Sequence, residues 1–217
     1  MLKDKDIREP LFEFLEESYG KTRIIEEKMM GRSRADVIMI ITDALVGIEI
    51  KSDADTYTRL EGQIKDYDKY FDYNIVVVGS SHAMHVEEHV PDYWGIITVD
   101  EVDEKPDFYF LRKPEYNKKV KLDRKLELLW RPELSILLQR LEMPAYKALS
   151  KPAVRKKIIE SKKVDPADVS HEISELLFER DYEKLLAEIA AYRKEHSPKR
   201  RGPKKRTSIK RTRRAGK

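Results

Sequence analysis

Residues 35–51, ADVIMIITDALVGIEIK, constrain the fold more than any other stretch of the 217-residue chain. Aliphatic and β-branched residues dominate on both sides of Thr42 and Asp43, which predicts two strands, Ala35 to Ile41 and Ala44 to Lys51. The link between them is too short for anything but an antiparallel hairpin. With a two-residue loop Ile41 faces Ala44, and counting outward sets Asp36 opposite Glu49. Side chains alternate faces with period two, so Lys51 shares the face of Glu49. A four-residue loop would keep the three together but set Asp36 against Lys51, and only an odd loop without a bulge separates them. Like charges across a strand pair are destabilising, and in apolar strands desolvation sharpens the conflict. A lysine two residues away relieves part of it. A divalent cation between two hard oxygen ligands relieves more. The same residues also read as an internal salt bridge on an exposed hairpin face.

The surrounding pattern predicts helix, three strands, helix, strand, then a further helix and strand. Ile7, Leu11, Phe14 and Leu15 recur at helical spacing over 6–19, with Arg8, Glu9 and their neighbours mostly on the other side and Gly20 as a stop. A first strand is expected over 22–29, a helix over 56–71 and a doubly buried strand over 74–78. A short helix near 82–89 and an apolar run over 95–99 follow. The helical crossover between the third and fourth strands implies that they run parallel. From Pro114 onward strand signals cease, and helices are expected after Pro132, over 150–159, and from Asp165 and Pro166 on to about Arg193. The expected organisation is an α/β core over 1–115, a helical appendage over 116–196 and a disordered basic tail over 197–217.

The constellation of Asp36 with Glu49, Ile50 and Lys51 as an E-x-K element resembles the PD-(D/E)XK nuclease superfamily. Arg59, Gln63 and Tyr67 look like the glutamine and tyrosine that many members carry on the next helix. The segment SDADTYTRLEGQIKDYDKYFD, followed by VVVG and DYWGI, is similar to a bacterial and phage family of largely uncharacterised proteins in that superfamily. The resemblance covers about residues 6–113. Alanine stands at position 35, where the strict pattern has proline. It implies a restriction-endonuclease-like mixed sheet flanked by helices and a nuclease, endo or exo, dependent on magnesium or manganese. Asp36, Glu49 and the carbonyl of Ile50 would hold the metal, with Glu9 or Glu26 as a third carboxylate. Lys51 would act on the attacking water and Gln63 would position water or phosphate.

Charge supplies a second argument. Residues 197–217 hold 11 of the 44 basic residues and none of the 40 acidic ones, leaving 33 cations against 40 anions in residues 1–196. Such a tail has too little apolar surface to fold alone but can neutralise phosphates. Lys199, Arg200, Arg201, Lys204, Lys205, Arg206, Lys210, Arg211, Arg213 and Arg214, with Arg34 and Arg59 in the core, are therefore candidate nucleic-acid contacts, with DNA the expected partner. A solubilising terminus is the bland alternative for the tail. With no cysteine, disulfides, thiolate metal sites and cysteine nucleophiles are excluded. Neither a membrane span nor a signal peptide is evident, so a cytoplasmic protein without a membrane partner is expected. Pairing into a homodimer is compatible with cutting two strands.

Other motifs weigh less. Gly20, Lys21 and Thr22 imitate a phosphate loop but end a helix. His82, His85 and His89 would share a helical face, though packed or surface histidines are commoner than zinc ligands there. Asp53 and Asp55 read as caps for the helix near Thr56 or as steering groups for a second metal. Tyr93, Trp94 and Trp130 read as core. Two further functional classes stay open: a non-catalytic nucleic-acid-binding module on the same fold, and an accessory subunit of a repair or mobile-element complex.

Overall fold

The structure, a computed structural model, describes residues 2–181 together with Ala187 and Ala190. Helix α1 (Asp4–Tyr19) leads into the meander β1 (Arg23–Met30), β2 (Ser33–Ile41) and β3 (Ala44–Lys51). A short turn at Tyr57–Arg59 and helix α2 (Leu60–Tyr70) then carry the chain to β4 (Tyr73–Gly79). A one-turn helix α3 (Ser80–Ala83) and the hairpin β5 (Gly95–Val102) and β6 (Lys105–Arg112) follow. Four helices follow: α4 (Leu122–Leu128), α5 (Arg131–Arg140), α6 (Lys151–Ile159) and α7 (Pro166–Phe178). Residues Met1–Arg180 form one compact unit and Asp181–Lys217 a second. The helical pattern expected to continue to Arg193 and the candidate contacts from Lys199 to Arg214 lie outside the described residues.

The architecture is a mixed six-stranded sheet flanked by helices, with strands in chain order β1-β2-β3-β4-β5-β6. β1, β2 and β3 pair antiparallel, β4 and β5 continue in parallel, and β6 closes the far edge antiparallel to β5. The crossover through α2 accounts for the change of direction between β3 and β4. Every residue of β3 is buried, because both faces are covered. On one face Ile7, Leu11 and Leu15 of α1 pack on Val37, Met39, Val46, Ile48 and Ile50. Each such side chain contributes about 1.5–3 kcal/mol by leaving water. The opposite face receives α2, and Gly47 permits the approach. A Cβ there would sit 2.2 Å from a ring carbon of Phe71 and 2.7 Å from Tyr67.

The C-terminal helices are tied to the sheet by buried polar groups. Asn117 donates 2.8 Å hydrogen bonds to the carbonyls of Asp68 and Phe71 at the end of α2. The Lys125 ammonium on α4 meets both oxygens of Asp72, at 3.0 and 2.8 Å, while Asp72 also accepts from the Leu45 amide of β3. Arg180 forms a two-pronged pair with Glu133 of α5 at 2.7 and 2.8 Å and donates to the Leu128 carbonyl.

Several local expectations need correction. Lys105–Arg112 is a strand that the sequence does not announce. Its half-buried Phe108 and Phe110 lie with ring centroids 5.3 Å from Phe14, but Pro106 and three charged residues obscure the alternation. α4 has seven residues, too short for helical periodicity to stand out. The helix expected from Thr56 begins at Leu60, after a 3₁₀ turn. The segment 82–89 is no single helix: α3 stops at Ala83 and a separate 3₁₀ turn spans Val86–Glu88, so the three histidines share no helical face. Instead His82 and His89 flank the Tyr57 ring. Asp53 and Asp55 cap nothing at Thr56. Asp55 accepts from the Ser52 amide and hydroxyl, and Asp53 accepts from Ser81.

Candidate active site

The β2–β3 turn is Thr42 and Asp43, with Asp43 at φ 64°, a conformation that aspartate tolerates better than most residues. Ile41 therefore faces Ala44, and the ladder runs to Val37 opposite Ile48. Asp36 and Glu49 are the next residues of that register. The Asp36 Oδ2 accepts a 3.0 Å hydrogen bond from the Ile50 amide, which ties it to β3 where the strand ladder ends.

Glu49 forms the floor of the site, with 1% of its side chain exposed. The Lys51 ammonium, itself 6% exposed, lies 2.6 Å from Glu49 Oε1. From α2, Gln63 Nε2 donates to that same oxygen, while Gln63 Oε1 accepts from Lys51 at 3.2 Å. One helical turn further on, the Tyr67 hydroxyl donates to Glu49 Oε2 at 2.7 Å and accepts from the Asp36 amide at 3.3 Å. Burial, then the charges of Glu49 and Asp36, push the Tyr67 phenol well above its ordinary range. It stays a donor.

Asp36 is placed differently. Burial and the Glu49 charge push its carboxyl up to about 7, against the opposing effects of the Ile50 hydrogen bond, Lys51 and Arg8. The pair is thus strained: Glu49 is hydrogen-bonded at both oxygens, and Asp36 carries the repulsion. Arg8 from α1 supports Asp36 from outside. It donates to the Asp36 carbonyl at 3.3 Å and lies 3.9 Å from Asp36 Oδ1, while holding Asp4 and Glu26.

The sequence-derived residues divide accordingly. Asp36, Glu49, Lys51 and Gln63 come together in one cleft of about 1290 Å³, which Ile50, Arg34 and Arg59 also line. Glu26 is exposed and engaged by Arg8, and Glu9 is exposed on α1 outside the lining of the cleft. Among the described residues no group of three or more histidines and carboxylates stands in a metal-binding arrangement. A cation here would take two carboxylates, with water, backbone or a ligand completing its shell, a pattern that suits magnesium. The raised Asp36 carboxyl is the feature that fits such an ion, since a divalent charge would relieve its repulsion.

Sequence reasoning missed Arg8, Arg32, Lys65, Lys69 and Arg124, all of which line the cleft. Helical spacing put Arg8 on the outer side of α1, yet its long side chain reaches residues on two strands. Arg124 comes from α4, an element that was not expected.

The fold and the site together define an α/β protein with a buried carboxylate–lysine cluster at the carboxyl end of a central strand, the end at which open α/β sheets bind ligands. The chain belongs to the bacteriophage P4 protein cII family, whose model matches residues 1–196. Comparison with curated proteins and with solved structures gave no match. Among the described residues no helix is long and apolar enough to cross a membrane.

Proposed function

We propose that this chain is a metal-dependent nuclease that hydrolyses phosphodiester bonds in DNA, on a sheet of the restriction-endonuclease-like kind. The observation that carries the reading is the convergence of Asp36, Glu49, Lys51 and Gln63 in one cleft, with Lys51 2.6 Å from Glu49. Asp36, Glu49 and the Ile50 carbonyl would hold magnesium or manganese, which when bound polarises a phosphate and lowers the pKa of water.

The chain's own residues supply the rest. Lys51 is aimed by Glu49 and Gln63, so its ammonium has a defined direction from which to orient a water and offset phosphate charge. Gln63 bridges Lys51 and Glu49 and keeps both in register with α2. Tyr67 holds the second oxygen of Glu49, which fixes the rotamer of a carboxylate that would otherwise be repelled by Asp36.

The limited ligand set, two carboxylates without a third, favours a non-catalytic nucleic-acid-binding module as the second reading. A cleavage assay separates them. Purified protein is incubated with branched, single-stranded and duplex DNA in magnesium, manganese or chelator, beside Asp36→Asn, Glu49→Gln and Lys51→Ala. The nuclease reading expects metal-dependent cutting that drops about 10² to 10⁴-fold in Lys51→Ala while DNA binding changes only modestly. Cutting at the parental rate by Lys51→Ala removes that residue from catalysis. A parent that cuts none of the substrates supports the binding module.

A further inference from the structure

Most cations lining the cleft are neutralised within the fold. Arg34 pairs with Glu27 at 3.4 Å, Lys65 with Glu61 at 2.6 Å, Lys69 with Asp66 at 3.1 Å and Arg124 with Glu127 at 2.7 Å. Arg32 and Arg59 have no ion pair of this kind among the described residues, and both are exposed. Two exposed arginines without an ion pair on the rim of one cleft, where their neighbours are paired, are free to meet an anionic ligand.

Their mountings are rigid. Arg59 immediately precedes the first residue of α2. Arg32 lies on the β1–β2 turn, which α2 clamps through Asp66: the carboxylate accepts from the Arg32 amide at 3.2 Å and from the Ser33 hydroxyl at 2.8 Å. Gly31 makes the clamp close. It sits at φ +58°, and a Cβ there would meet Asp66 at 3.1 Å. The Arg32 main chain is thereby fixed, and the residue is exposed in the lining of the cleft. Asp66 and Arg59 are seven residues apart, about 10 Å along a helix axis. Between them lies Gln63, which touches Glu49 and Lys51.

The geometry points to Arg32 and Arg59 as two anchors for backbone phosphates of a nucleic-acid strand, one on each side of the Asp36–Glu49–Lys51 centre. This rests on the nucleic-acid reading above and adds where the strand lies: along α2, with the reacting phosphate over Gln63. A repeating polyanion is the ligand class that suits two guanidinium forks on the rim of one cleft. Arg34, like Arg59 a sequence-derived contact, is paired with Glu27 and is the weaker of the two arginines flanking Ser33.

The test measures binding of labelled single-stranded and duplex oligonucleotides across a range of salt, in chelator, with full-length protein. Arg32→Gln and Arg59→Gln are each expected to weaken binding several-fold and to reduce the slope of log K against log salt by about 0.7–0.9. The paired control Arg34→Gln is expected to move the slope by less than half as much. Both arginines are exposed, so thermal melts should match the parent. An unchanged slope in either variant overturns the two-anchor assignment, and so does an equal loss in the Arg34→Gln control, which would mean bulk charge. Cleavage by the parent with unaltered binding in these variants would sink the anchors and leave the nuclease reading standing. Loss of binding in the variants of a parent that cuts nothing would do the reverse.

Discussion

At neutral pH the Asp36 carboxyl stands near the middle of its titration, because burial and Glu49 push it up to about 7. A carboxyl whose folded value lies above its unfolded one, 3.8, holds its proton more tightly in the folded state. With respect to this group, stability is therefore full below about pH 4 and is lost as pH rises through about 7, where the penalty reaches on the order of 4 kcal/mol. Asp36→Asn keeps an oxygen for the Ile50 amide and removes the charge. It is expected to match the parent near pH 4 and to exceed it at pH 8 in urea denaturation without divalent ions. Identical pH profiles for the two proteins would show that the carboxylate pair is not strained. Magnesium should narrow the gap by stabilising the parent alone. The residues of this pair were legible because any even-length turn, with a side-chain period of two, keeps Asp36, Glu49 and Lys51 on one face. Arg8 was not, since nothing local to α1 says that its guanidinium ends beside a strand 28 residues away.

Elements that depend on close approach make the sharpest stability predictions. Gly47→Ala places a methyl where the Phe71 ring already lies, so α2 must move away from β3. Overpacking of this kind costs about 1–3 kcal/mol. Because Gln63 and Tyr67 ride on α2, the variant should also lose activity at temperatures where it remains folded, measured as rate per folded molecule. Arg180→Ala leaves Glu133 buried without its cation, a loss of about 3–5 kcal/mol. A urea double-mutant cycle with Glu133→Gln should show strong coupling, and additive losses would mean that the pair does not act as a unit. Long apolar strands and the Gly20 and Asp165 helix limits could be read from the sequence, because each carries a local signal. β6 and α4 could not. β6 is an edge strand whose outward residues are free to be charged, and α4 is held by the buried Lys125–Asp72 pair rather than by a long apolar stripe.

For the whole molecule, the uneven placement of charge governs how it meets a polyanion. Removing residues 197–217 takes away 11 cations and no anions, turning the formal charge from +4 to −7. The truncated protein is expected to bind nucleic acid more weakly, with a flatter salt dependence, and to keep its thermal midpoint. An unchanged slope would assign the tail to solubility alone. The strand order has another consequence. Since each strand of the sheet neighbours the next along the chain, the longest closures are the excursions through α2 and through residues 80–94. The β1–β2–β3 meander can zip up from contacts near in sequence before either is made. Asp36 and Glu49 would then meet before α2 brings Gln63 and Tyr67 to hold Glu49, so mild acid, by discharging one of the two, should speed the early steps of folding.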